Sequence, residues 1–331
     1  MFVPYTHESI RLTGRWDTRD SRCAVATATG SYIEFCFEGR MAVAHFDIEM
    51  NMLPLLHLWV QIDGGDMTEA VIDRFMRVYT AKEGVHTVRI IYKGGTEMSA
   101  RWYQPLTGKV TFLGVQTDKP MAIAPDCRRT VEFVGDSITE GVLIDEDYNA
   151  GGPHYTEMDV LRRCYQDDVC ATYAWQTAEA LNLRPIFMGY GAVGITRVGC
   201  GRVPVAQESY PYNFDNSPIT HGPSDFVVIN HGANDRDKPS EPYRAGYEKL
   251  LDQVIAYNPN ATIVAMSAFC GAHKDIFEDM IAEYNQKHGT NVVAINASNW
   301  ISPNPLHPTR DGHRTVAKNL IPLLKDIFKL A

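Results

Sequence analysis

The sequence predicts an all-β N-terminal domain of the jelly-roll sandwich type over residues 1–118 and an α/β domain over residues 130–331. Two observations predict this division. Short runs of β-branched and aromatic residues, separated by glycine turns, fill the first part of the chain. Apolar strands alternate with helical patterns in the second part, which is typical of a doubly wound parallel sheet. The proline-containing residues 119–129 between them predict a linker.

The N-terminal strands are predicted from residue type, because each run is rich in valine, isoleucine and aromatic side chains. Gly64-Gly65 and Gly94-Gly95 lie between such runs and supply the positive φ that tight turns require. No helical pattern of convincing length intervenes, so we expect strands to pair with strands here. The predicted strands are residues 31–37, 41–48, 56–63, 85–92 and 109–115.

The C-terminal elements are predicted from periodicity, because continuous apolar runs indicate buried strands and a 3.6-residue period indicates amphipathic helices. The predicted strands are residues 130–134, 185–189, 225–231, 261–268 and 291–295. The predicted helices are residues 168–183, 241–257, 275–288 and 309–330. Strands of this kind, alternating with helices, predict a parallel sheet that is covered on both faces.

Composition excludes several classes of function. The 331 residues carry a formal charge of −9 without a dense basic stripe, so we expect no nucleic-acid partner. No apolar run approaches the roughly 18 residues needed to cross a bilayer, so we expect no membrane partner. No signal peptide is visible, so we expect a cytoplasmic location, with secretion as the alternative if an N-terminal segment has been removed. Seven cysteines without CxxC or zinc-finger spacing predict free thiols rather than a metal site.

Polar residues follow four of the predicted strands, at the edge where parallel sheets form their sites. Ser137 lies in GDSITEG at residues 135–141, a glycine-rich loop occupies residues 189–194, Asn234 follows the third strand, and His307 precedes the last helix. Each has a structural alternative: a helix cap, a turn, an Asx-turn and a structural histidine. The glycine loop fits GxGxxG, but no acidic residue follows at the end of a next strand, so dinucleotide binding is not expected.

Together these residues form the set that acyl transfer requires, namely an attacking oxygen, a proton acceptor and donors for a tetrahedral oxyanion. No GxSxG elbow is present, so the α/β-hydrolase arrangement is excluded. HExxH and P-loop signatures are also missing from the sequence. We therefore expect neither a metal nor an organic cofactor.

These four ordered blocks resemble the SGNH (GDSL-type) hydrolase superfamily over residues 128–331. The N-terminal motifs at residues 11–16 (RLTGRW) and 62–65 (IDGG) are similar to the jelly-roll domain of carbohydrate esterase family 2. The resemblance implies a three-layer, flavodoxin-like sheet in the C-terminal domain. It also implies a serine esterase that forms a covalent acyl-serine intermediate.

Transferred residue by residue, the resemblance implies that Ser137 is the nucleophile and His307 the general base. The oxyanion hole would comprise the backbone N–H groups of Ser137 and Gly194 and the side chain of Asn234. The aspartate that normally precedes the histidine by three residues is replaced by Asn304, which we consider as the residue that orients His307. Some members of carbohydrate esterase family 2 instead hold the histidine by a backbone carbonyl. The nearby acids Asp136 and Asp311 are further alternatives.

The expected activity is removal of short acyl groups, acetyl in the first place, from a small-molecule or oligosaccharide ester. Two alternatives remain open: a lipase, thioesterase or other small-acyl esterase of the same superfamily, and a non-catalytic sugar-binding protein with a degenerate hydrolase domain. The mixed, polar residues 143–165 predict an active-site loop rather than an amphipathic lid. The sequence does not predict the sugar or the oligomeric state.

Overall fold

The computed structural model describes residues 1–145 and 164–330, which form an N-terminal antiparallel sheet and a C-terminal parallel sheet. Most of the loop predicted at residues 143–165 lies outside the described residues. In the described part of the chain, no helix combines the length and the apolar character that crossing a membrane requires. All seven cysteines lie in that part and are free thiols.

The N-terminal sheet has nine described strands, which confirms the antiparallel class; the jelly-roll type remains a prediction. All five predicted strand regions are present, but residues 31–37 and 41–48 belong to one continuous strand. The short strands β1, β2, β3, β6 and β7 were not predicted. The nine strands are β1 (Phe2–Pro4), β2 (Ile10–Thr13), β3 (Ala24–Ala26), β4 (Tyr32–Phe46), β5 (His57–Ile62), β6 (Met67–Val71), β7 (Phe75–Tyr79), β8 (Val85–Gly94) and β9 (Val110–Pro120).

Strand β4 is predicted as two strands because Gly39 interrupts its apolar pattern. Gly39 has a φ of +141° and lies beside an irregularity in the pairing with β9, between Glu38 and Ala42. The first half of β4 pairs with β2 and β8, and the second half pairs with β7 and β9. The glycine therefore allows a change of partners within a single strand.

The C-terminal part is a five-stranded parallel sheet in the order β11-β10-β14-β15-β16, which confirms the predicted class. Its first strand, β10, lies between β11 and β14, which gives the order 2-1-3-4-5 of flavodoxin-like doubly wound sheets. In chain order the strands are β10 (Thr130–Gly135), β11 (Arg184–Gly189), β12 (Tyr212–Phe214), β13 (Ser217–Pro218), β14 (Phe226–Asn230), β15 (Thr262–Met266) and β16 (Val293–Ile295). Strands β12 and β13 form a separate hairpin.

Helices cover both faces of the parallel sheet. They are α1 (Ser137–Glu140), α2 (Tyr173–Ala180), α3 (Ala206–Ser209), α4 (Ser240–Tyr257), α5 (Lys274–His288) and α6 (Arg310–Ile327). Adjacent residues of β10 pack into the two hydrophobic cores on opposite faces of the sheet, because side chains alternate in direction along a strand. Val134 lies in the core that contains Leu250 of α4. Phe133 lies in the core that contains Leu320 of α6.

The two sheets meet through buried polar contacts. The Arg15 guanidinium lies 2.7 Å from the Glu132 carboxylate on β10, and both side chains are fully buried. The Thr27 hydroxyl lies 2.9 Å from the Tyr190 hydroxyl, just beyond β11. Strand β9 ends at Pro120 and β10 begins at Thr130, so the linker predicted at residues 119–129 overlaps the end of β9. The domain boundaries themselves remain a prediction.

Candidate active site

The turn after β10 places Ser137 at the carboxyl edge of the parallel sheet. Asp136 caps α1, with its carboxylate accepting a hydrogen bond of 2.9 Å from the Ile138 amide. A Cβ at Gly135 would lie 2.1 Å from the Thr139 hydroxyl oxygen, so only glycine fits this tight turn. Ser137 is the first residue of α1, where a backbone N–H has no acceptor within the helix.

The structure brings Ser137 and His307 together although 170 residues separate them along the chain. The Nε2 atom of His307 lies 2.9 Å from the Ser137 hydroxyl oxygen. His307 comes from the loop that precedes α6, whose N-terminus is capped by Thr309. This distance is within the range expected for a nucleophile and its general base.

Asn234 joins three of the predicted blocks. It lies in the 3₁₀ turn Ala233–Asp235 after β14, and only 7% of its surface is exposed. Its side-chain amide donates to the Val193 carbonyl at 3.0 Å and to the Asp136 carboxylate at 3.4 Å. The predicted donor therefore lies between the serine turn and the glycine loop, and the bond to Asp136 is the longer and weaker of the two.

The glycine loop differs from the expectation for Gly194. The Gly194 amide donates to the Arg197 carbonyl at 2.9 Å, so the predicted donor role requires this bond to be shared or broken. A Cβ at Gly194 would lie 2.8 Å from the Asp235 carboxylate, which itself accepts hydrogen bonds from the Ile195 and Thr196 amides. In this structure the glycine is required for packing against Asp235.

The contacts of Asn304 do not support its predicted role in orienting His307, which remains a prediction. The side chain is exposed, and it makes no hydrogen bond to His307 or to any other residue in the described ranges. Its backbone N–H and carbonyl instead bond the Ser302 hydroxyl, at 3.2 and 2.8 Å. Asp311 is also exposed and pairs with Arg314 at 2.6 Å. The asparagine that stands in place of the family's aspartate thus makes no hydrogen bond to the imidazole in the described part of the chain.

Asp136 is fully buried beside the nucleophile. The pKa of its carboxyl is raised from 3.8 to about 7, chiefly by burial and also by the neighbouring charges of Asp235 and Glu140, against the hydrogen bond from Ile138. The proton on Asp136 is therefore retained to a much higher pH than on an ordinary aspartate. A neutral Asp136 accepts a weaker hydrogen bond from Asn234 than an ionised one does.

The segment that follows β8 of the N-terminal sheet contacts two loops of the site, and the sequence gives no indication of these contacts. The Arg101 guanidinium forms a buried ion pair with the carboxylate of Glu140, the last residue of α1. The Nη2 atom of Arg101 also donates a hydrogen bond of 3.4 Å to Glu140 Oε2. A Cβ at Gly191 would lie 2.0 Å from the Glu97 carboxylate, so the two loops are in close contact. These residues follow β8 in a region without a recognisable motif.

The region that contains the four sequence blocks matches a known protein family. Residues 133–315, more than half of the chain, match the model of the GDSL-like lipase/acylhydrolase family. The chain belongs to this family. The resemblance drawn from the sequence is thereby confirmed, and the protein is a carboxylic ester hydrolase of the GDSL type.

Similar proteins include an acetylxylan esterase/glucomannan deacetylase of Cellvibrio japonicus, which is 28% identical over 262 residues. The alignment covers 74% of this chain and 68% of that protein. Among solved structures, a family two carbohydrate esterase from the same organism superposes with a TM-score of 0.80 at 20% identity and covers 100% of this chain and 98% of its own. One from Clostridium thermocellum, in complex with cellohexaose, gives 0.78 at 20% identity, covering 97% and 100%. At this identity the likeness of the structures shows a shared fold.

Proposed function

We propose that this protein is a serine esterase that removes acetyl groups from carbohydrate esters. The observation that carries the proposal is the 2.9 Å contact between His307 Nε2 and Ser137 Oγ. It is supported by the similarity to an acetylxylan esterase/glucomannan deacetylase. A second support is that family two carbohydrate esterases share the fold of the whole chain.

Acylation begins with the Ser137 hydroxyl donating its hydrogen bond to the unprotonated Nε2 of His307. As Ser137 Oγ attacks the acetyl carbonyl carbon, Nε2 takes the hydroxyl proton and a C–O bond forms to the serine. The tetrahedral intermediate collapses when the C–O bond to the sugar breaks. The imidazolium returns its proton to the departing sugar oxygen, which leaves as an alcohol.

Deacylation repeats these steps with water. His307 accepts a proton from a water molecule whose oxygen attacks the acetyl-serine carbonyl, and the bond to Ser137 Oγ then breaks. The proton goes back to the serine, and acetate leaves. Both half-reactions use residues of this chain only.

The negative charge of each intermediate needs donors, and Asn234 is the side chain best placed to supply one. Its 3.4 Å bond to Asp136 is the weaker of its two bonds, so we infer that this N–H turns toward the oxyanion when substrate binds. The Ser137 amide at the start of α1 is a second donor. Gly194 contributes only with its bond to Arg197 shared or broken.

The first experiment measures aryl-acetate hydrolysis by the wild-type protein and by Ser137→Ala and His307→Ala. We expect turnover in the wild type, with a loss of at least about 10³-fold in either variant, because removal of the nucleophile or of its general base leaves little catalysis. A matched control is Ser21→Ala, which removes an exposed hydroxyl in a turn of the N-terminal part. Wild-type activity that survives Ser137→Ala would overturn the mechanism.

The second experiment identifies the substrate by product analysis after incubation with acetylated xylo-, gluco- and manno-oligosaccharides. We expect free acetate and a deacetylated sugar, in amounts that depend on Ser137. Serine-dependent hydrolysis of aryl acetates or thioesters, but of none of the oligosaccharides, would favour the small-acyl esterase alternative. Sugar binding without any serine-dependent hydrolysis would favour the non-catalytic alternative.

We infer in the same way that the N-terminal sheet is a jelly-roll sandwich. This is supported by the change of partners along β4 at Gly39, since strands that switch partners in this manner form the corners of sandwiches. An experimental structure with the strand connections resolved would test this assignment.

A further inference from the structure

Asp168 lies between the two segments that carry Ser137 and His307. Its backbone N–H donates to the Gly141 carbonyl at 2.8 Å, directly after the turn of α1 that begins with the nucleophile. A Cβ at Gly141 would lie 2.6 Å from the carbonyl of Asp168, so the two backbones are in tight contact. Asp168 is thus fixed to the serine segment by its main chain.

The side chain of Asp168 reaches the histidine segment. Its Oδ2 atom accepts a hydrogen bond of 2.9 Å from the Arg310 guanidinium. Arg310 is the first residue of α6 and follows His307 by three residues. The same guanidinium makes two bonds to the Asp145 carboxylate, at 2.6 and 2.7 Å. Paired bonds of this kind restrict the orientation of an arginine more than a single contact does.

The Asp168 carboxylate is itself held on all sides. It is 2% exposed, and its Oδ1 atom accepts from the Cys170 amide at 3.0 Å and from the Trp59 indole N–H at 2.9 Å. Trp59 belongs to β5 of the N-terminal sheet. Asp168 therefore contacts the serine segment through its main chain, and the histidine segment and the antiparallel sheet through its buried carboxylate.

We propose that Asp168 and Arg310 are positioning residues that set the distance between His307 and Ser137. The proposal rests on the serine-esterase function proposed above. Because only two residues separate His307 from Arg310, the fixed guanidinium limits how far the imidazole can move from the hydroxyl. Trp59 extends this control to the N-terminal sheet through its hydrogen bond to Asp168.

The test compares Arg310→Met with Arg314→Met, a matched control four residues along the same helix whose partner Asp311 is exposed. With an aryl acetate, we expect Arg310→Met to lower kcat at least about 10-fold with KM within about threefold, because misplacement affects the chemical step. Arg314→Met should leave both constants within twofold of the wild type. Added guanidinium should restore activity to Arg310→Ala and leave the activity of Arg314→Ala unchanged, a response that a general loss of structure would not give.

A crystal structure of Arg310→Met gives a readout that does not require activity. We expect the distance from Ser137 Oγ to His307 Nε2 to exceed 3.5 Å; a retained distance of 2.9 Å would overturn the positioning role whatever the kinetics. If the wild type shows no Ser137-dependent turnover, the proposed function fails, while this distance still decides whether Arg310 holds the loop.

Trp59→Phe tests the contribution of the N-terminal sheet, since it keeps an aromatic ring and removes the indole N–H. We expect a loss in kcat of about threefold, in the same direction as Arg310→Met and with unchanged KM. Unchanged kcat in this variant would show that the N-terminal sheet has no part in positioning Asp168.

Discussion

The positions of three side chains of the candidate site are set by the ends of the parallel strands. Ser137 and Asn234 follow β10 and β14, which are neighbours in the sheet, and His307 enters from the loop before α6. Because parallel strands share a carboxyl edge, residues at the ends of neighbouring strands meet there whatever their separation in sequence. This is why the sequence could indicate all three.

Asn234→Ala is expected to lower kcat about 10²–10³-fold, the usual effect of losing one oxyanion donor. Steady-state kinetics with an aryl acetate would measure this loss. Asn291→Ala is the control, because Asn291 is exposed and lies just before β16, at the amino ends of the parallel strands. Turnover within a few-fold of the wild type would remove Asn234 from the oxyanion hole.

Asn304→Asp is expected to change kcat by less than about twofold, because an exposed carboxylate without a bond to the imidazole contributes little electrostatic stabilisation. The measurement is the pH profile of kcat/KM for the variant and the wild type. A large gain would show that the side chain at position 304 reaches His307 during turnover.

The turn between β10 and α1 couples stability to pH through Asp136. Its folded-state pKa of about 7 lies above the value of 3.8 expected when unfolded, so the native state binds the extra proton in this interval. Stability from this group is complete below pH 4 and falls as the pH rises toward 7. The carboxyl group thus opposes folding at alkaline pH, although it also caps α1.

Asp136→Asn should therefore stabilise the protein more at pH 8 than at pH 5, because asparagine keeps the cap without the buried charge. From the two pKa values, the effect of the substitution on the free energy of unfolding differs by about 2–3 kcal/mol between pH 5 and pH 8. Urea unfolding at both pH values would measure it, with the exposed Asp311→Asn as control. An effect of equal size at both pH values would contradict the raised pKa.

Strands and helices were predictable where periodicity was strong, and less so where pairing decides the outcome. The long helices α4 and α5 begin within one residue of their predicted starts. Strand β4 was divided at Gly39, and the short strands β1, β2 and β3 left no signal because three or four residues carry too little pattern. Their strand conformation comes from pairing with β4 and β9.

The contacts that unite the two sheets had no signal in the sequence. Arg15 and Glu132 are 117 residues apart, and Trp59 and Asp168 are 109 apart. No local pattern distinguishes a charged residue that will be buried with a distant partner from one that faces water. For the same reason the sequence suggested Asn304, a neighbour of His307, and missed Asp168 and Arg310.

Arg15→Met is expected to lower the free energy of unfolding by about 3–5 kcal/mol, because it leaves Glu132 buried without its counter-ion. The double variant Arg15→Met, Glu132→Leu should recover much of this loss. Denaturant unfolding would measure both, with Arg22→Met as control because Arg22 forms an exposed pair with Asp20. A loss below about 1 kcal/mol would show that the buried pair contributes little to stability.

Glu132 lies on β10, an interior strand of the parallel sheet, and its positive partner Arg15 comes from near the beginning of the chain. A chimera that kept only the hydrolase half would leave the buried Glu132 carboxylate without this guanidinium. We therefore expect the parallel sheet to lose stability when recombination removes or exchanges the N-terminal part.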